Sequence, residues 1–249
     1  MVVLKTSREL SLMKEACRIS AGALDIIGKA VEPGVSTAEL DSLAEKYILS
    51  QGGTPNFKNY QGYPATACIS INNEVIHGIP NKNRIIKAGD IVSVDLGAKF
   101  SGYHGDNAAT FAAGDISAEA KRLIDTTKES LYEGIKMVRA GGRIGDIGNA
   151  IQRYVEARGY SVVRDFVGHG IGTNLHEAPE VPNFGISGRG IRLLPGMTIA
   201  IEPMVNGGKA DVKVLPDGWT VVTKDGSLSA HFEHTVAVTS DEPFVMTKL

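Results

Sequence analysis

The sequence has few cysteines, few aromatic residues, no long apolar run and almost no net charge. Its 2 cysteines, Cys17 and Cys68, are too few for a disulfide framework and favour a reducing compartment. The formal net charge of −2 gives no basic field that would indicate DNA or an anionic membrane as a partner. No stretch approaches the roughly 20 apolar residues of a membrane span, and the N-terminus is not typical of a signal peptide. We therefore expect a cytoplasmic globular protein.

The chain does contain an ordinary share of apolar residues and many glycines. Hydrophobic residues make up 43% of the 249 positions and charged residues 22%, which excludes disorder as the main state. The 29 glycines predict many turns and close backbone approaches. This length suffices for one large core, so we expect residues 1–249 to form a single domain.

Apolar periodicity divides the chain into helical and extended segments. Apolar residues three or four positions apart predict helices, over 7–29, from Ser36-Thr37 to about Leu49, over 118–138 and over 147–158. Ser36 is a typical N-cap, and Glu39 follows it closely. Short apolar or alternating runs predict strands, at 67–71, 91–96, 161–164, 197–201, 212–215, 220–223 and 229–238.

The order of helices, strands, helices and strands suggests an internal repeat. Pro33-Gly34-Val35, before the second helix, corresponds to Gly141-Gly142-Arg143, before the fourth. The segment IKAGDIVSVD at 86–95 corresponds to LLPGMTIAIE at 193–202. We predict an α+β fold of two pseudo-symmetric halves that share one sheet, with the functional site where they meet.

Two aspartates stand in the segment VSVDLGAKFSGYHGDNAATF, at 92–111. Asp95 lies within an apolar strand, where a carboxylate is costly unless it is paired or bound to metal. If 99–102 forms a four-residue hairpin loop, Asp95 lies directly opposite Asp106, with β-carbons roughly 4.5–5.5 Å apart. Like charges this close predict a shared proton or a cation between them. The alternative is a pair of exposed hairpin carboxylates.

Two glutamates and one histidine extend this set. Glu202 stands in the apolar run TIAIEPMV, although it could also be a glutamate at the rim of a strand. Glu233 shares a predicted strand face with His231, and the alternative is a solvated outer face. His169 stands between glycines that let a metal approach, although a lone histidine of this kind is often a turn residue.

Four carboxylates and one imidazole suit two divalent cations that share bridging carboxylates. Such cations lie about 3.5–4 Å apart and activate a water molecule for hydrolysis. Oxygen ligands with one histidine fit Mn, Fe, Co or Zn, and the ligand types do not choose among them. A cysteine-ligated site is excluded because the sequence has no CxxC pair.

Seven ordered motifs resemble those of the short, type I methionine aminopeptidases. These belong to the pita-bread superfamily, which also contains prolidase and aminopeptidase P. The motifs are NYQGYP, CISINNEVIHGIP, VDLGAKFSGYHGDNAATF, VGHGIGTNLHEAPEVPNF, GMTIAIEPM, DGWTVVTKDGSLSA and FEHTVAV. The resemblance runs from about residue 5 to the C-terminus. It implies a single catalytic domain with a pita-bread fold, whose halves, about 10–115 and 118–240, share a curved, mainly antiparallel sheet with helices on its outer face.

The resemblance also implies which residues hold the metals. Asp95 would hold one cation, Asp106 and Glu233 would bridge both, and His169 and Glu202 would hold the other. Glu202 would also take the proton of the bridging water.

The resemblance assigns the substrate contacts to two further histidines and to a pocket. His77 would contact the substrate near the scissile amide, and His176 would hydrogen-bond the scissile carbonyl and stabilise the oxyanion. The pocket for the methionine side chain would be lined by Tyr60, Tyr63, Cys68 and Trp219. Without the motifs, we would interpret these aromatic residues as core.

Three positions depart from what the resemblance leads us to expect. Leu175 stands where an aromatic residue occurs in relatives, and Phe57 stands where a smaller residue is usual. His231 stands where glutamine is common, and it could be a hydrogen-bond donor behind the ligands or a pH-sensitive neighbour of them. No departure removes a predicted ligand.

The function that the resemblance implies is removal of the N-terminal methionine from nascent chains whose second residue is small. One alternative is a proline-directed peptidase of the same fold, although those relatives carry an upstream domain for which 249 residues leave no room. The other is a catalytically minor binding module at the ribosome, which would predict lost ligands and a basic surface. We expect a monomer with a transient ribosome contact, and neither DNA nor membrane as a partner.

Overall fold

Helices and strands alternate along the chain in the order that the periodicity predicts. The computed structural model describes residues 2–248. The helices of this range are α1 (Ser7–Ala30), α2 (Thr37–Ser50), a 3₁₀ helix (Tyr60–Gly62), α3 (Ala118–Lys136) and α4 (Ile144–Glu156). All four predicted α-helices are confirmed, with α4 beginning three residues before the predicted start.

The strands are short except for two that form the central hairpin. They are β1 (Thr54–Pro55), β2 (Ala67–Ile71), β3 (Glu74–Ile76), β4 (Ile91–Phe100), β5 (Tyr103–Ala112), β6 (Ser161–Val162), β7 (Gly168–Gly170), β8 (Glu177–Val181), β9 (Thr198–Ile201), β10 (Met204–Asn206), β11 (Val212–Val214), β12 (Val221–Thr223), β13 (Ser229–His231), β14 (Glu233–Ala237) and β15 (Phe244–Val245). The predicted strand at 91–96 therefore continues for four more residues.

One nine-stranded sheet dominates the described residues. Its strand order is β1-β4-β5-β14-β9-β7-β8, with β2 on β4 and β15 on β14. Two three-stranded sheets, β13-β10-β6 and β11-β12-β3, flank it. Every pairing among the described strands is antiparallel, which confirms the predicted α+β class with a mainly antiparallel sheet.

The helices pack on one side of the large sheet and bury one apolar cluster for each half. Ile19 and Ile27 of α1 pack with Val94 and Leu96 of β4. The second cluster joins α3 and α4 to β9 and β14. The predicted N-cap of α2 is confirmed, since the Ser36 hydroxyl accepts the backbone N–H of the third helical residue. Within residues 2–248, no helix combines the length and apolar character that crossing a bilayer requires.

Equivalent turns occur in the two halves. The Gly34 N–H donates to the Ile86 carbonyl at 2.9 Å, and the Gly141 N–H donates to the Leu193 carbonyl at 2.9 Å. Gly34 and Gly141 both have positive φ, 98° and 89°, which L-residues rarely adopt. The predicted alignment of this turn is therefore wrong by one position, because it placed Pro33 rather than Gly34 against Gly141. The alignment predicted for the strands, which begins with Ile86 against Leu193, agrees with this hydrogen bonding.

The hairpin between β4 and β5 has a shorter loop than predicted. Phe100 pairs with Tyr103, so the loop is Ser101 and Gly102, whose φ angles are 49° and 86°. Two positive φ angles give the type I′ turn, whose twist matches that of the flanking strands.

This turn shifts the register of the two aspartates. Asp95 pairs with Ala108 and Asp106 pairs with Gly97, so the prediction that the aspartates are directly opposed is wrong. They are diagonal neighbours on one face, which lie roughly 7–8 Å apart with the β-carbons somewhat closer. The diagonal leaves more room for a cation between the carboxylates than direct opposition would.

The predicted strand at 229–238 is also wrong as a single element. β13 pairs with β10, whereas β14 pairs with β5 and β9. Phe232 lies between β13 and β14, and its N–H donates to the Pro203 carbonyl at 3.3 Å. The break arises because Pro203, which lies between β9 and β10, has no N–H to continue the ladder.

Candidate active site

One cavity of about 160 Å³ contains the site residues that the sequence predicts. The predicted metal ligands, the two predicted catalytic histidines and the predicted pocket residues all line it. They are Asp95, Asp106, His169, Glu202, Glu233, His77, His176, Tyr60, Tyr63, Cys68 and Trp219, joined by Phe57 and Leu175. The structure therefore brings together residues that are distributed over most of the chain.

Strand alternation carries the carboxylates to this cavity. Val94 and Leu96 belong to the apolar cluster under α1, so Asp95 between them points to the opposite side of the sheet. Asp106 lies on that same side, on β5. Glu233 is the first residue of β14 and pairs with Ala108, which also pairs with Asp95 on its other side. The central strands of the two halves thus contribute to one face.

Three donor atoms converge at the centre of the cavity. One atom each from Asp106, His169 and Glu233 lie within 4.8 Å of one another, and all three residues are buried. The His169 Nδ1–H donates to the Gly170 carbonyl at 2.8 Å, because a carbonyl can only accept. The Nε2 lone pair is therefore left for a cation, and Nε2 lies 3.7 Å from Glu202 Oε1.

The buried carboxylates lack the partners that would compensate their charge. Asp95 Oδ1, Asp106 Oδ1 and Glu233 Oε1 are buried, and no group within the described range 2–248 hydrogen-bonds to them. Burial raises the pKa of all three carboxyls and of Glu202 above their ordinary values. The charge of Asp95 adds to the pKa rise at the other three. This donor set fits divalent cations, whose positive charge would offset the cost of burial.

Two histidine rings contact each other at the edge of the carboxylate cluster, with their planes tilted by 57°. The rings of His169 and His176 have centroids 4.2 Å apart. Burial, followed by the neighbouring His176, lowers the pKa of His169 to about 3. Burial also lowers the pKa of His176. Both imidazoles are therefore neutral near pH 7. The Tyr60 hydroxyl lies 2.8 Å from His176 Nδ1.

The remaining part of the cavity is largely aromatic. Tyr63 and Trp219 make an edge-to-face contact with ring centroids 5.1 Å apart, and His77 contacts Trp219 in the same way at 6.2 Å. Cys68 pairs with Asp95 across β2 and β4, which places the pocket beside the ligand cluster. Such surfaces suit an unbranched thioether side chain.

His77 has an unusual backbone and a neighbour that the sequence analysis missed. Its φ of 59° is in the left-handed region, which is rare for a residue with a side chain. Its ring contacts Phe166 edge to face at 5.9 Å. Burial lowers the pKa of His77 to about 4. Its position three residues before His169 could have indicated Phe166 in the sequence. Gln61, within the NYQGYP motif, also lines the cavity and was missed.

His231 lies beside Glu202, behind the cavity. Its side chain is 1% exposed, and Nε2 is 3.8 Å from Glu202 Oε2. Within the described residues, neither ring nitrogen of His231 has a hydrogen-bond partner. His231, which stands where the resemblance leads us to expect glutamine, is therefore a buried imidazole next to the candidate ligand Glu202.

Comparison with known proteins identifies the relatives of this chain. The model of metallopeptidase family M24 matches residues 11–240. The chain is 53% identical to a methionine aminopeptidase of Clostridium perfringens over 99% of both chains. It is 50% identical to methionine aminopeptidase 1 of Bacillus subtilis over the full length of both.

Solved structures show the same similarity. The methionine aminopeptidase of Thermotoga maritima superposes with a TM-score of 0.99 at 44% identity, covering 100% of both chains. The prolidase of Pyrococcus furiosus matches with a TM-score of 0.80 at 21% identity, and the match covers 99% of this chain and 66% of that one. The second likeness concerns the fold alone.

Proposed function

This chain belongs to metallopeptidase family M24, and we infer that, as a methionine aminopeptidase, it removes N-terminal methionine from chains whose second residue is small. It has the pita-bread fold of that family, with an antiparallel sheet and four α-helices within residues 2–248. The predicted family, fold and enzyme class are thereby confirmed. The metal number, the residue roles and the rule for the second residue are our proposals.

Two divalent cations are proposed for the carboxylate cluster. The observation that carries this is the set of buried carboxylate oxygens that lack partners within residues 2–248. Asp106 and Glu233 would contact both cations, Asp95 one of them, and His169 with Glu202 the other. When bound, the cations supply Lewis-acid polarisation of the scissile carbonyl and lower the pKa of water. The donor set is compatible with Co, Mn, Fe or Zn.

Glu202 is proposed as the residue that takes the proton of the attacking water. Its Oε1 lies 3.7 Å from His169 Nε2, so the carboxylate is beside the position proposed for one cation and within reach of a water molecule held there. A carboxylate positioned in this way can act as a general base. The same residue can then return the proton to the leaving amine.

His176 is proposed to stabilise the oxyanion. Because the ring is neutral, Nδ1 can accept the hydrogen bond of the Tyr60 hydroxyl, and Nε2 then carries the proton. That N–H is free to donate to the scissile carbonyl oxygen as it becomes negative. His77, at the rim of the aromatic pocket, would contact the substrate near the scissile amide.

The methionine side chain is proposed to bind among Tyr60, Tyr63, Cys68 and Trp219. The edge-to-face contact of Tyr63 with Trp219 leaves aromatic surfaces toward the cavity, against which a thioether packs well. Leu175 and Phe57 complete the lining.

We propose that the substrates are nascent chains in the cytoplasm, since initiator methionine is first exposed there. A single catalytic domain over 1–249, a monomer and a transient ribosome contact complete this proposal. The proline-directed alternative finds less support. The prolidase likeness shows the fold alone, whereas methionine aminopeptidases match along the full chain.

The deciding experiment is release of free methionine from Met-Ala-Ser and Met-Leu-Ser. The metal-free protein is assayed first, and then with Mn, Co, Fe or Zn. We expect metal-dependent cleavage of the first peptide and little of the second. No cleavage with any metal, despite bound cations, would instead favour the binding module.

Asp95→Asn is the matched control for this assay. The substitution removes a ligand charge and little volume, so we expect an intact fold. Turnover should fall well beyond the ~10–100-fold that is typical when a residue hydrogen-bonded to a metal ligand is substituted. Circular dichroism checks the fold, and the peptide assay checks turnover. Unchanged turnover at saturating metal would contradict the assignment of Asp95.

A further inference from the structure

The loop that ends at His176 is tied to the N-terminal segment by a buried ion pair. Lys5 Nζ lies 2.6 Å from Glu177 Oε2, and the two side chains are 3% and 8% exposed. Glu177 follows His176 directly and begins β8. The two partners are 172 residues apart in sequence, so this contact joins the N-terminal segment to the second half of the fold at the residue next to His176.

Two glycines leave the space through which the N-terminal segment passes. A Cβ on Gly172 would lie 2.5 Å from Lys5 Cε and 2.7 Å from Glu177 Oε1. The Lys5 N–H donates to the Gly196 carbonyl at 2.7 Å, and a Cβ on Gly196 would lie 2.8 Å from the Lys5 carbonyl oxygen. The backbone and the side chain of Lys5 are thus both enclosed.

Glu177 also organises the loop before His176 through its other oxygen. Oε1 accepts from the Asn174 N–H at 3.1 Å and from the Thr173 hydroxyl at 3.4 Å. Burial alone would raise the pKa of Glu177, but the hydrogen bonds from Lys5 and Asn174 hold it below the ordinary value. The carboxylate is therefore charged, and its two oxygens connect the loop to Lys5.

The other end of the loop is held by β5. The His104 N–H donates to the Gly172 carbonyl at 2.9 Å. The loop 171–176 is thus anchored at its start by β5 and at its end by Lys5. Without the ammonium, Glu177 would be a buried charge with no cation, and it would regain solvation only by moving outward. Such a movement would displace His176, the adjacent residue.

We propose that Lys5 and Glu177 are positioning residues for His176. Their ion pair holds the loop so that the His176 ring stays in contact with His169 and hydrogen-bonded to Tyr60. The inference rests on the proposed function, in which His176 Nε2 contacts the scissile carbonyl. It adds a requirement for the N-terminal segment, which lies outside the cavity.

The kinetic test uses Lys5→Met and Glu177→Gln, which remove one charge each and keep most of the volume. With Met-Ala-Ser and saturating metal, we expect kcat to fall ~10–100-fold, because a displacement near 1 Å has an effect of that order. KM should stay within about twofold and the metal content should not change, since neither residue touches metal or the bound side chain. Wild-type kcat in the folded variants would overturn the proposal.

Tyr103→Phe is the matched control. The Tyr103 hydroxyl donates to Glu9 Oε1 at 2.9 Å, so it also ties the N-terminal region to the body of the protein, but not to the loop of His176. We expect kcat to stay within about twofold of wild type. A fall in kcat as large as that of Lys5→Met would overturn the proposal, since general loosening of the N-terminal region would then explain both.

A second readout does not depend on catalysis. The imidazole Cε1–H resonance of His176, assigned by its loss in His176→Ala, is recorded in the zinc-loaded protein. We expect it to shift or broaden in Lys5→Met and to stay in place in Tyr103→Phe. An unchanged resonance in Lys5→Met would overturn the proposal. If the wild type releases no methionine, the proposed function fails, and this resonance still decides whether the ion pair positions the ring.

A double variant covers the case in which a single one does not fold. Lys5→Met combined with Glu177→Met removes both charges of the buried ion pair, and such replacements often retain stability. We expect it to fold and to keep a kcat at least about tenfold below wild type, because the contacts to Thr173 and Asn174 are lost as well. Recovery of wild-type kcat would overturn the proposal.

Discussion

The two halves of the large sheet share a backbone arrangement but present different side chains toward the cavity. In the first half, Asp95 pairs with Ala108. The correspondence of 86–95 with 193–202 makes Glu202 the equivalent of Asp95. In the second half the pairing of β14 with β9 brings Glu233 next to Glu202. The pair of Asp95 and Ala108 in the first half therefore corresponds to the pair of Glu202 and Glu233 in the second half, where both side chains are carboxylates.

A second pair of equivalent positions differs in the same way. Asp106 lies two residues before Ala108, and His231 lies two residues before Glu233. The first half thus has a carboxylate where the second half has an imidazole. The proposed bridging ligands, Asp106 and Glu233, come from different halves. A symmetric scaffold therefore supplies an asymmetric donor set, and the site is complete only when both halves pack together.

The largest expected effect comes from making the second half resemble the first. Glu233→Ala introduces the methyl group of Ala108 and removes one proposed bridging ligand. We expect loss of bound metal. Methionine release should fall far beyond the ~10–100-fold that is typical when a residue hydrogen-bonded to a metal ligand is substituted. Metal analysis and the peptide assay measure both. Full metal content with normal turnover would show that Glu233 is not a ligand.

The next effect tests His176, a histidine of the second half that lines the cavity. His176→Ala removes the proposed oxyanion donor, so we expect kcat to fall about 10²–10³-fold. Metal content should stay at the wild-type value, because His176 is not among the proposed ligands. Metal loss in this variant would make it a ligand instead.

A smaller effect concerns stability and pH in the metal-free protein. Burial raises the pKa of Glu233 in the folded state, so its carboxyl is tolerated when protonated and becomes costly as it ionises. The contribution of this group to stability is thus present at low pH and is lost as pH rises above the unfolded pKa of about 4.3. Glu233→Gln stays neutral, so its Tm should exceed that of wild type by a margin that grows between about pH 5 and pH 8.

Thermal unfolding of both metal-free proteins across this pH range checks the sign. The buried histidines are the same in both proteins, so their opposite pH dependence cancels in the difference. A Tm difference that shrinks with rising pH would contradict the raised pKa.

The smallest effect concerns His231, the counterpart of Asp106. Its Nε2 is 3.8 Å from Glu202 Oε2, and a donor at this place would orient the carboxylate. His231→Gln keeps a donor, so we expect metal affinity to change by about tenfold at most, whereas His231→Leu should weaken it more. Titration calorimetry with zinc compares the two. Equal affinity in both variants would remove His231 from the support of Glu202.

Local patterns predicted the helices and the five candidate metal ligands, whereas the substrate contacts came only from the resemblance to methionine aminopeptidases. Asp95 and Glu202 attracted attention because each interrupts an apolar strand, and both line the cavity. The register of the hairpin could not be predicted, because it depends on whether the loop has two or four residues. A serine with φ of 49° before Gly102 is a conformation that composition does not indicate. The break at Phe232 likewise depends on Pro203, which lies opposite it between β9 and β10.

The sequence by itself determined the apolar periodicities of the helices and the residue types available for metal and substrate, because both are properties of short segments. The tertiary structure decided the diagonal placement of Asp95 and Asp106, and it decided that Lys5 and Glu177 pair. Turn conformation sets the first, and packing between distant parts of the chain sets the second. Neither the turn conformation nor the pairing of Lys5 with Glu177 produces a periodic pattern in the sequence. A lysine near a chain end, for example, gives the same local pattern whether it is solvated or buried.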